Sequence, residues 1–220
     1  MKKVYIIRHG QTYLNHYNKV QGWTDTPLTP KGTDEAEKIG EKLKDIPFDV
    51  AVSSDLRRAI VTRDIIMKHN VNSDKARKID TEYFREEYYG SLEAIDTDVA
   101  WRLIGSNHGY TDRYKMFENE SLGTLEDWIK ETDPYHDAEN AEEYWLRVNK
   151  GMKLLTDLSD AENILLVTHG FTIRNLWSKY GKDISLVPGP QNGSVSLMTI
   201  SDDGDIKIED KIWTQKNKMS

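Results

Sequence analysis

The chain has 220 residues, with 37 Asp and Glu against 30 Lys and Arg, a formal charge of −7, 10% aromatic residues and no cysteine. That length suits one α/β domain and is short for two, and the aromatic content excludes a solvated, disordered chain. The acidic balance argues against a nucleic-acid partner, and the missing cysteines exclude disulfides, thiolate metal sites and cysteine nucleophiles.

Before Arg8 the N-terminus offers only the apolar run Val4 to Ile7, too short for a signal-peptide core. No later apolar run approaches the ~20 residues of a membrane span. A cytoplasmic protein with no membrane partner is expected. Lys3 to Arg8 predicts a strand of a parallel sheet, covered on both faces. Thr29 and Pro30 then open a helix as N-cap and first helical residue. Its apolar face is Ala36, Ile39, Gly40 and Leu43, and Pro47 closes it. Val50 to Ser54 is a second strand, and Arg57 to His69 a second helix with Ile60, Val61, Ile65 and Ile66 inward.

Residues 96–140 interrupt this alternation. They carry Trp101, Tyr110, Tyr114, Phe117 and Trp128 among many charges, with a helix near Leu125 to Lys130. The stretch is expected to be a helical insertion, too short and too polar for a core of its own. Asn163 to His169 is the next buried strand, with a helix at Thr172 to Tyr180 after it. Ser194 to Ile200 and Ile206 to Trp213 flank Asp202-Asp203-Gly204-Asp205. That cluster fits a hairpin turn and lacks the ligand spacing of a helix–loop–helix calcium site. Strands alternating with helices predict one α/β domain over residues 1–220.

The chemistry gathers where strands stop. The first ends in Arg8-His9-Gly10, the last buried one in Thr168-His169-Gly170, and the second in Ser53-Ser54, shortly before Arg57-Arg58. In open α/β sheets ligands collect at the carboxyl ends of strands, so these endings can share one crevice. Clustered guanidiniums and imidazoles call for an anion, and arginine forks match phosphate oxygens in pairs. A neutral imidazole attacking phosphorus makes a phosphohistidine. The second histidine, protonated, then holds the phosphoryl oxygens as charge develops. Phe84 to Gly90 supplies the adjacent carboxylates Glu86 and Glu87, one of them a candidate general acid. Nothing in this set calls for a metal or another cofactor. Singly each element is ordinary, since a histidine closing a strand is more often structural than catalytic. The weight lies in their coincidence.

These residues resemble the histidine phosphatase superfamily, also called the phosphoglycerate mutase-like family. Arg8 to Asn15 (RHGQTYLN) is similar to its RHGxTxxN signature. Gln21-Gly22-Trp23 and Pro27 to Gly32 resemble the stretch that follows. Ser54 to Ala59 is similar to SxLxRA, which puts the functional arginine on Arg58 and leaves Arg57 a spectator. Glu86 stands four residues before Gly90, as in ExxxG, and Val167 to Gly170 matches the closing THG block. The chain departs at Gly90-Ser91-Leu92-Glu93-Ala94, where the family often has a second glycine in place of Ala94.

The resemblance implies a three-layer α/β/α sandwich around a mostly parallel sheet, with residues 96–140 as a lobe over the site. It implies His9 as the phosphorylated nucleophile, Arg8, Arg58 and His169 as the phosphate pocket, and Glu86 as acid and base. Asn15, Gln21, Gly22 and Gly170 are the further substrate-binding positions. Two activities stay open. A cofactor-dependent phosphoglycerate mutase needs paired arginines for a substrate carboxylate, whereas the lobe shows only isolated Arg102, Arg113 and Lys115. Its aromatics, with Tyr88 and Tyr89, suit a roomier apolar mouth and favour a phosphatase of broad specificity. A third reading is a non-catalytic domain that binds phosphorylated ligands. The partner expected is a small phosphorylated substrate, and nothing in the sequence indicates an oligomeric state.

Overall fold

The computed structural model describes residues 1–182 and 184–213. In chain order it contains β1 (Lys2–Arg8), α1 (Tyr13–His16), α2 (Pro30–Leu43), β2 (Val50–Ser54), α3 (Arg57–His69) and β3 (Arg77–Thr81). After these come α4 (Thr97–Ser106), α5 (Arg113–Asn119), α6 (Leu122–Thr132), α7 (Ala141–Asp157), β4 (Asn163–Thr168), α8 (Gly170–Tyr180), β5 (Val195–Ile200) and β6 (Ile206–Trp213). The strands form one sheet in the order β3-β2-β4-β1-β5-β6. The first four run parallel, whereas β5 pairs antiparallel to β1 and β6 antiparallel to β5. The sheet is therefore mixed and mostly parallel.

Strand periodicity sorts the apolar side chains into two layers. Val4 and Ile6 of β1, Val50 and Val52 of β2, and Ile164 and Leu166 of β4 pack with Tyr144, Val148, Met152 and Leu155 of α7 and with Ile173, Leu176 and Trp177 of α8. The intervening positions, Ile7, Ala51, Leu165 and Val167, point to the other face. They pack against Ile39 and Leu43 of α2 and Ala59, Ile66 and Met67 of α3. The result is a three-layer α/β/α sandwich. No helix among the described residues is long and apolar enough to cross a membrane.

Local signals explain most boundaries. Thr29 caps α2, its hydroxyl accepting the Gly32 N–H at 3.0 Å, with Pro30 in the first turn. The helix stops at Leu43, ahead of Pro47. The face of α3 differs from the expected one. Ile60 and Val61 are only half-buried, whereas Arg58, Thr62 and Arg63 are buried with Ile65 and Ile66. Polar work at the strand ends takes those positions: Thr62 accepts the Gly10 N–H at 3.1 Å, and Arg63 pairs with Asp80 and Ser53. The hairpin between β5 and β6 turns through Gly204 at φ +89°, which favours glycine.

Residues 97–132 form α4, α5 and α6, three helices where the sequence predicts one. Their apolar residues do make a core, but a shared one. Trp101, Ile104, Met116, Phe117, Leu125 and Ile129 cluster with Val20, Tyr89, Leu92 and Phe171 from the surrounding chain. Burial of each such side chain contributes about 1.5–3 kcal/mol, so the lobe is fastened to the body by the residues that border the site.

Candidate active site

Because β1 and β4 are parallel neighbours with Arg8 opposite Thr168, the residues that follow emerge side by side. These are His9 and His169. Their ring centroids lie 5.1 Å apart at an interplanar angle of 62°, and both side chains are buried. Nδ1 of His9 lies 2.8 Å from the carbonyl oxygen of Gly10, to which it donates. Nε2 is left with its lone pair and accepts from Nε of Arg58 at 3.2 Å. Burial first, then the guanidiniums of Arg58 and Arg8, holds the His9 pKa well below its ordinary value. His9 is thus neutral, with its tautomer set by a backbone carbonyl.

His169 is fully buried, and neither ring nitrogen has a hydrogen-bond partner. Burial, followed by Arg58, also lowers its pKa well below the ordinary value. Among these cations His169 is held neutral, and an incoming negative charge favours its imidazolium.

The arginines are aimed by backbone carbonyls. Arg58 donates to the carbonyls of Gly22 at 2.6 Å and Thr24 at 3.0 Å and to Asp25 at 3.1 Å. Arg57 beside it is exposed. Arg8 donates to the carbonyl of Pro190 at 2.8 Å, and its Nε has no partner. Gly170 allows this placement, because a Cβ there would lie 3.1 Å from the Arg8 guanidinium. Gly10 likewise lets its loop close on α2, where a Cβ would stand 2.2 Å from the Gly32 carbonyl.

Glu86 closes the group from a third direction. Its carboxylate accepts the N–H groups of Phe171 and Thr172, each at 2.9 Å, and the Thr172 hydroxyl at 3.1 Å. It thereby caps the N-terminus of α8, the helix that begins after His169. The loop carrying Glu86 is gripped in turn by Arg147 of α7, which donates to the carbonyls of Glu82, Tyr83, Arg85 and Glu86.

A cavity of about 390 Å³ opens beside this group, with Arg8, Asn15, Gln21, Glu86 and Gly170 in its walls, whereas His9, Arg58 and His169 are buried and are not wall residues. Asn15 accepts from the Thr12 N–H and from Asn192, whose amide also reaches the His9 carbonyl at 2.8 Å. Gln21 is bonded to Thr12 and Thr26. Gly22 is not a wall residue. Its carbonyl holds Arg58, and its N–H goes to Glu93. That carboxylate collects four backbone N–H groups, from Gly22, Trp23, Thr24 and Tyr89. Ala94 follows at φ +63°, so the family's second glycine falls on a left-handed position that this chain fills with alanine.

The mouth is mixed: Tyr89, Trp101, Tyr114 and Phe117 line it as expected, and Lys19, Arg113 and Arg174 stand in the same wall with Arg8. Arg174, on α8, lies over the Phe117 ring at 4.1 Å, and its Nε has no partner. Burial pulls its pKa down to about 10. Sequence reading misses Arg174, although it lies five residues after His169 and so about one helical turn along α8. It also misses Asn192, Arg147 and the role of Glu93, whose partners are distant in sequence.

The profile of the histidine phosphatase superfamily (branch 1) matches residues 4–209. A 2,3-bisphosphoglycerate-dependent phosphoglycerate mutase of Cytophaga hutchinsonii is 32% identical over 172 residues, 78% of this chain and 73% of the relative. A broad-specificity phosphatase of Saccharomyces cerevisiae is 32% identical over 190 residues, 81% of this chain and 70% of the relative. The crystal structure of a phosphoglycerate mutase from Bacillus anthracis superposes with a TM-score of 0.88 at 31% identity, covering 94% of this chain and 91% of that one. With the profile spanning nearly all of the described chain, the protein belongs to branch 1 of the histidine phosphatase superfamily.

Proposed function

We propose that this enzyme hydrolyses phosphomonoesters through a phosphohistidine on His9, without a metal. The observation that carries the reading is the state of His9: neutral, its proton held on the Gly10 carbonyl, its Nε2 lone pair beside the guanidinium of Arg58. Nε2 attacks phosphorus, the bond from phosphorus to the ester oxygen breaks, and the phosphoryl group passes to the imidazole. Arg8 and Arg58 hold the phosphoryl oxygens, and His169 becomes imidazolium as they gather charge. Glu86, taking up a proton from solvent before the ester bond breaks, gives that proton to the departing oxygen and becomes the carboxylate. It then takes a proton from the water that attacks the phosphohistidine, and phosphate leaves.

Phosphoglycerate mutation is the second reading, favoured by the cations Lys19, Arg113 and Arg174 around the cavity. They suit a substrate with a second anionic group, and relatives at about this similarity carry the mutase name. One experiment separates the readings: a panel of phosphate esters including p-nitrophenyl phosphate, with EDTA, beside a 2-/3-phosphoglycerate interconversion assay. Phosphate release that persists in EDTA, without interconversion, supports the phosphatase. Interconversion that outruns release supports the mutase, and inactivity on every ester would leave a binding domain.

A further inference from the structure

Each proton transfer assigned to Glu86 depends on where its carboxylate stands, yet the residue sits in a segment with little regular structure. Residues 82–84 make a single 3₁₀ turn, and residues 85–89 follow as loop. No helix or sheet ladder takes up the carbonyls of such a segment, and buried carbonyls need a donor. Four of them find the same one. Arg147 of α7 donates from Nη1 to the carbonyls of Glu82 at 3.3 Å, Tyr83 at 3.2 Å and Arg85 at 3.0 Å. From Nη2 it donates to the carbonyl of Glu86 at 3.2 Å.

The guanidinium is locked from its other side. Its Nε and Nη2 meet the two oxygens of Glu139 at 2.7 and 2.6 Å, and the two side chains are only 11% and 12% exposed. Glu139 reaches past Glu86 as well. Its carboxylate accepts the Tyr88 N–H at 3.1 Å, and its own N–H donates to the Tyr88 carbonyl at 3.0 Å. The pair therefore fixes residues 82, 83, 85, 86 and 88, on both sides of the acid. Its base is firm, because Tyr144, Val148, Met152 and Leu155 of α7 are packed in the sheet core. Trp23 and Thr172 add one contact each, to the carbonyls of Glu86 at 3.0 Å and Arg85 at 3.1 Å. Arg147 neither touches the Glu86 carboxylate nor lines the cavity, and Glu139 balances its charge. Its effect on the acid is one of position.

We propose that Arg147, locked by Glu139, is the positioning residue of the general acid: it sets where Glu86 meets the departing oxygen. The proposal rests on the acid role given to Glu86 above. A planar fork is essential to it, since the three donors of a lysine ammonium cannot grip Glu139 and four carbonyls at once. An ångström of drift in a positioned group costs about 10²-fold in rate. That loss falls on departure of the alcohol, where Glu86 gives its proton. The arginines of the phosphate pocket are aimed by other carbonyls, those of Gly22, Thr24 and Pro190. Two esters tell the effects apart, because kcat/KM covers only the steps up to loss of the alcohol. p-Nitrophenolate departs without a proton, whereas the alkoxide of benzyl phosphate needs one.

The test is the ratio of kcat/KM on benzyl phosphate to kcat/KM on p-nitrophenyl phosphate, with thermal midpoints alongside. It is to be measured for the wild type, Arg147→Lys, Glu139→Gln, Glu86→Gln and the double variant Glu86→Gln/Arg147→Lys. Arg147→Lys keeps the charge and loses the fork, and is expected to lower the ratio by about 10²-fold. Glu139→Gln leaves the arginine in place but unlocks it, and should lower the ratio by about tenfold. Glu86→Gln lowers it at least as far as Arg147→Lys. The double variant goes no lower than Glu86→Gln alone, because both changes remove one function. If Arg147→Lys slows the two esters in equal proportion while Glu86→Gln stays selective, Arg147 is a structural residue only. The proposal then falls and the acid role of Glu86 stands. A ratio unmoved by Glu86→Gln removes that role and the proposal with it. Failure of both Arg147→Lys and Glu139→Gln to fold would make the pair a support of the whole domain and likewise overturn the assignment.

Discussion

Replacing Glu93 by alanine tests how the phosphate pocket is aimed, since this side chain touches none of the reacting groups. Its Oε1 accepts from Trp23 at 2.8 Å and Tyr89 at 3.3 Å, and its Oε2 from Gly22 and Thr24 at 3.1 Å each. A hydrogen bond to a charged group contributes about 1.5–3 kcal/mol. This loop is only part-buried, so released N–H groups recover water and roughly a third of that survives, about 0.7 kcal/mol per bond. Four bonds give about 3 kcal/mol, or a fall in Tm of about 6–12 °C for a chain of this size. The loop also presents the Gly22 and Thr24 carbonyls to Arg58. Their displacement by an ångström is expected to lower kcat/KM on p-nitrophenyl phosphate by about 10²-fold. Glu93→Gln keeps one acceptor oxygen and should recover about half of both losses. A Glu93→Ala protein with wild-type Tm and kcat/KM would refute the reasoning. Lost stability with intact kcat/KM would show that the loop does not position Arg58.

Three further outcomes are expected. His9→Ala abolishes turnover and the acid-labile phosphoryl label trapped by quenching during steady state, and label that persists would move the nucleophile elsewhere. Ala94→Gly relieves a left-handed alanine and should raise stability by about 1 kcal/mol, or Tm by about 2–4 °C; a lower Tm would contradict the φ of +63°. Burial and the neighbouring arginines depress His9 and His169, so acid below about 6.5 protonates their unfolded forms first. Stability is therefore lost as pH falls below that value, while kcat/KM holds until well below it. An acid limb of kcat/KM near 6.5 would show that His9 is not held neutral.

Five of the six strands are legible in the sequence because each carries its own apolar signal, which β3, with no buried residue, lacks. Val50 to Ser54 and Arg57 to His69 are found to the residue, and the parallel register that brings His9 to His169 follows once β1 and β4 are neighbours. The lobe is less legible. Its helices α4, α5 and α6 are short, and their apolar residues complete a core only with Val20, Tyr89, Leu92 and Phe171, which no local period connects. The charge of the mouth escapes for the same reason. Lys19, Arg113 and Arg174 come from three separate segments and look like isolated surface cations until the fold sets them in one cavity. Glu87 looks like a solvated loop acid beside Glu86, and burial alone reverses that reading.

How a chain of net charge −7 keeps a site ready for an anion follows from what anchors its cations. Carboxylates would hold Arg8 and Arg58 firmly and cancel their charge in the same contact. Here the Pro190, Gly22 and Thr24 carbonyls take most of that work, and one carboxylate, Asp25, touches the buried Arg58. A carbonyl orients a guanidinium through its dipole and leaves the full positive charge facing the pocket, preorganised before any ligand arrives. Glu86 and Glu93, two further acids close to the site, spend their oxygens on backbone N–H groups. The long-range field of the acidic surface is screened within ~8 Å at physiological salt. An anion at the mouth therefore meets Arg113, Arg174 and Arg8 in the cavity wall, with Arg58 behind them offset by Asp25, which is the electrostatic condition for delivering phosphorus to Nε2 of His9.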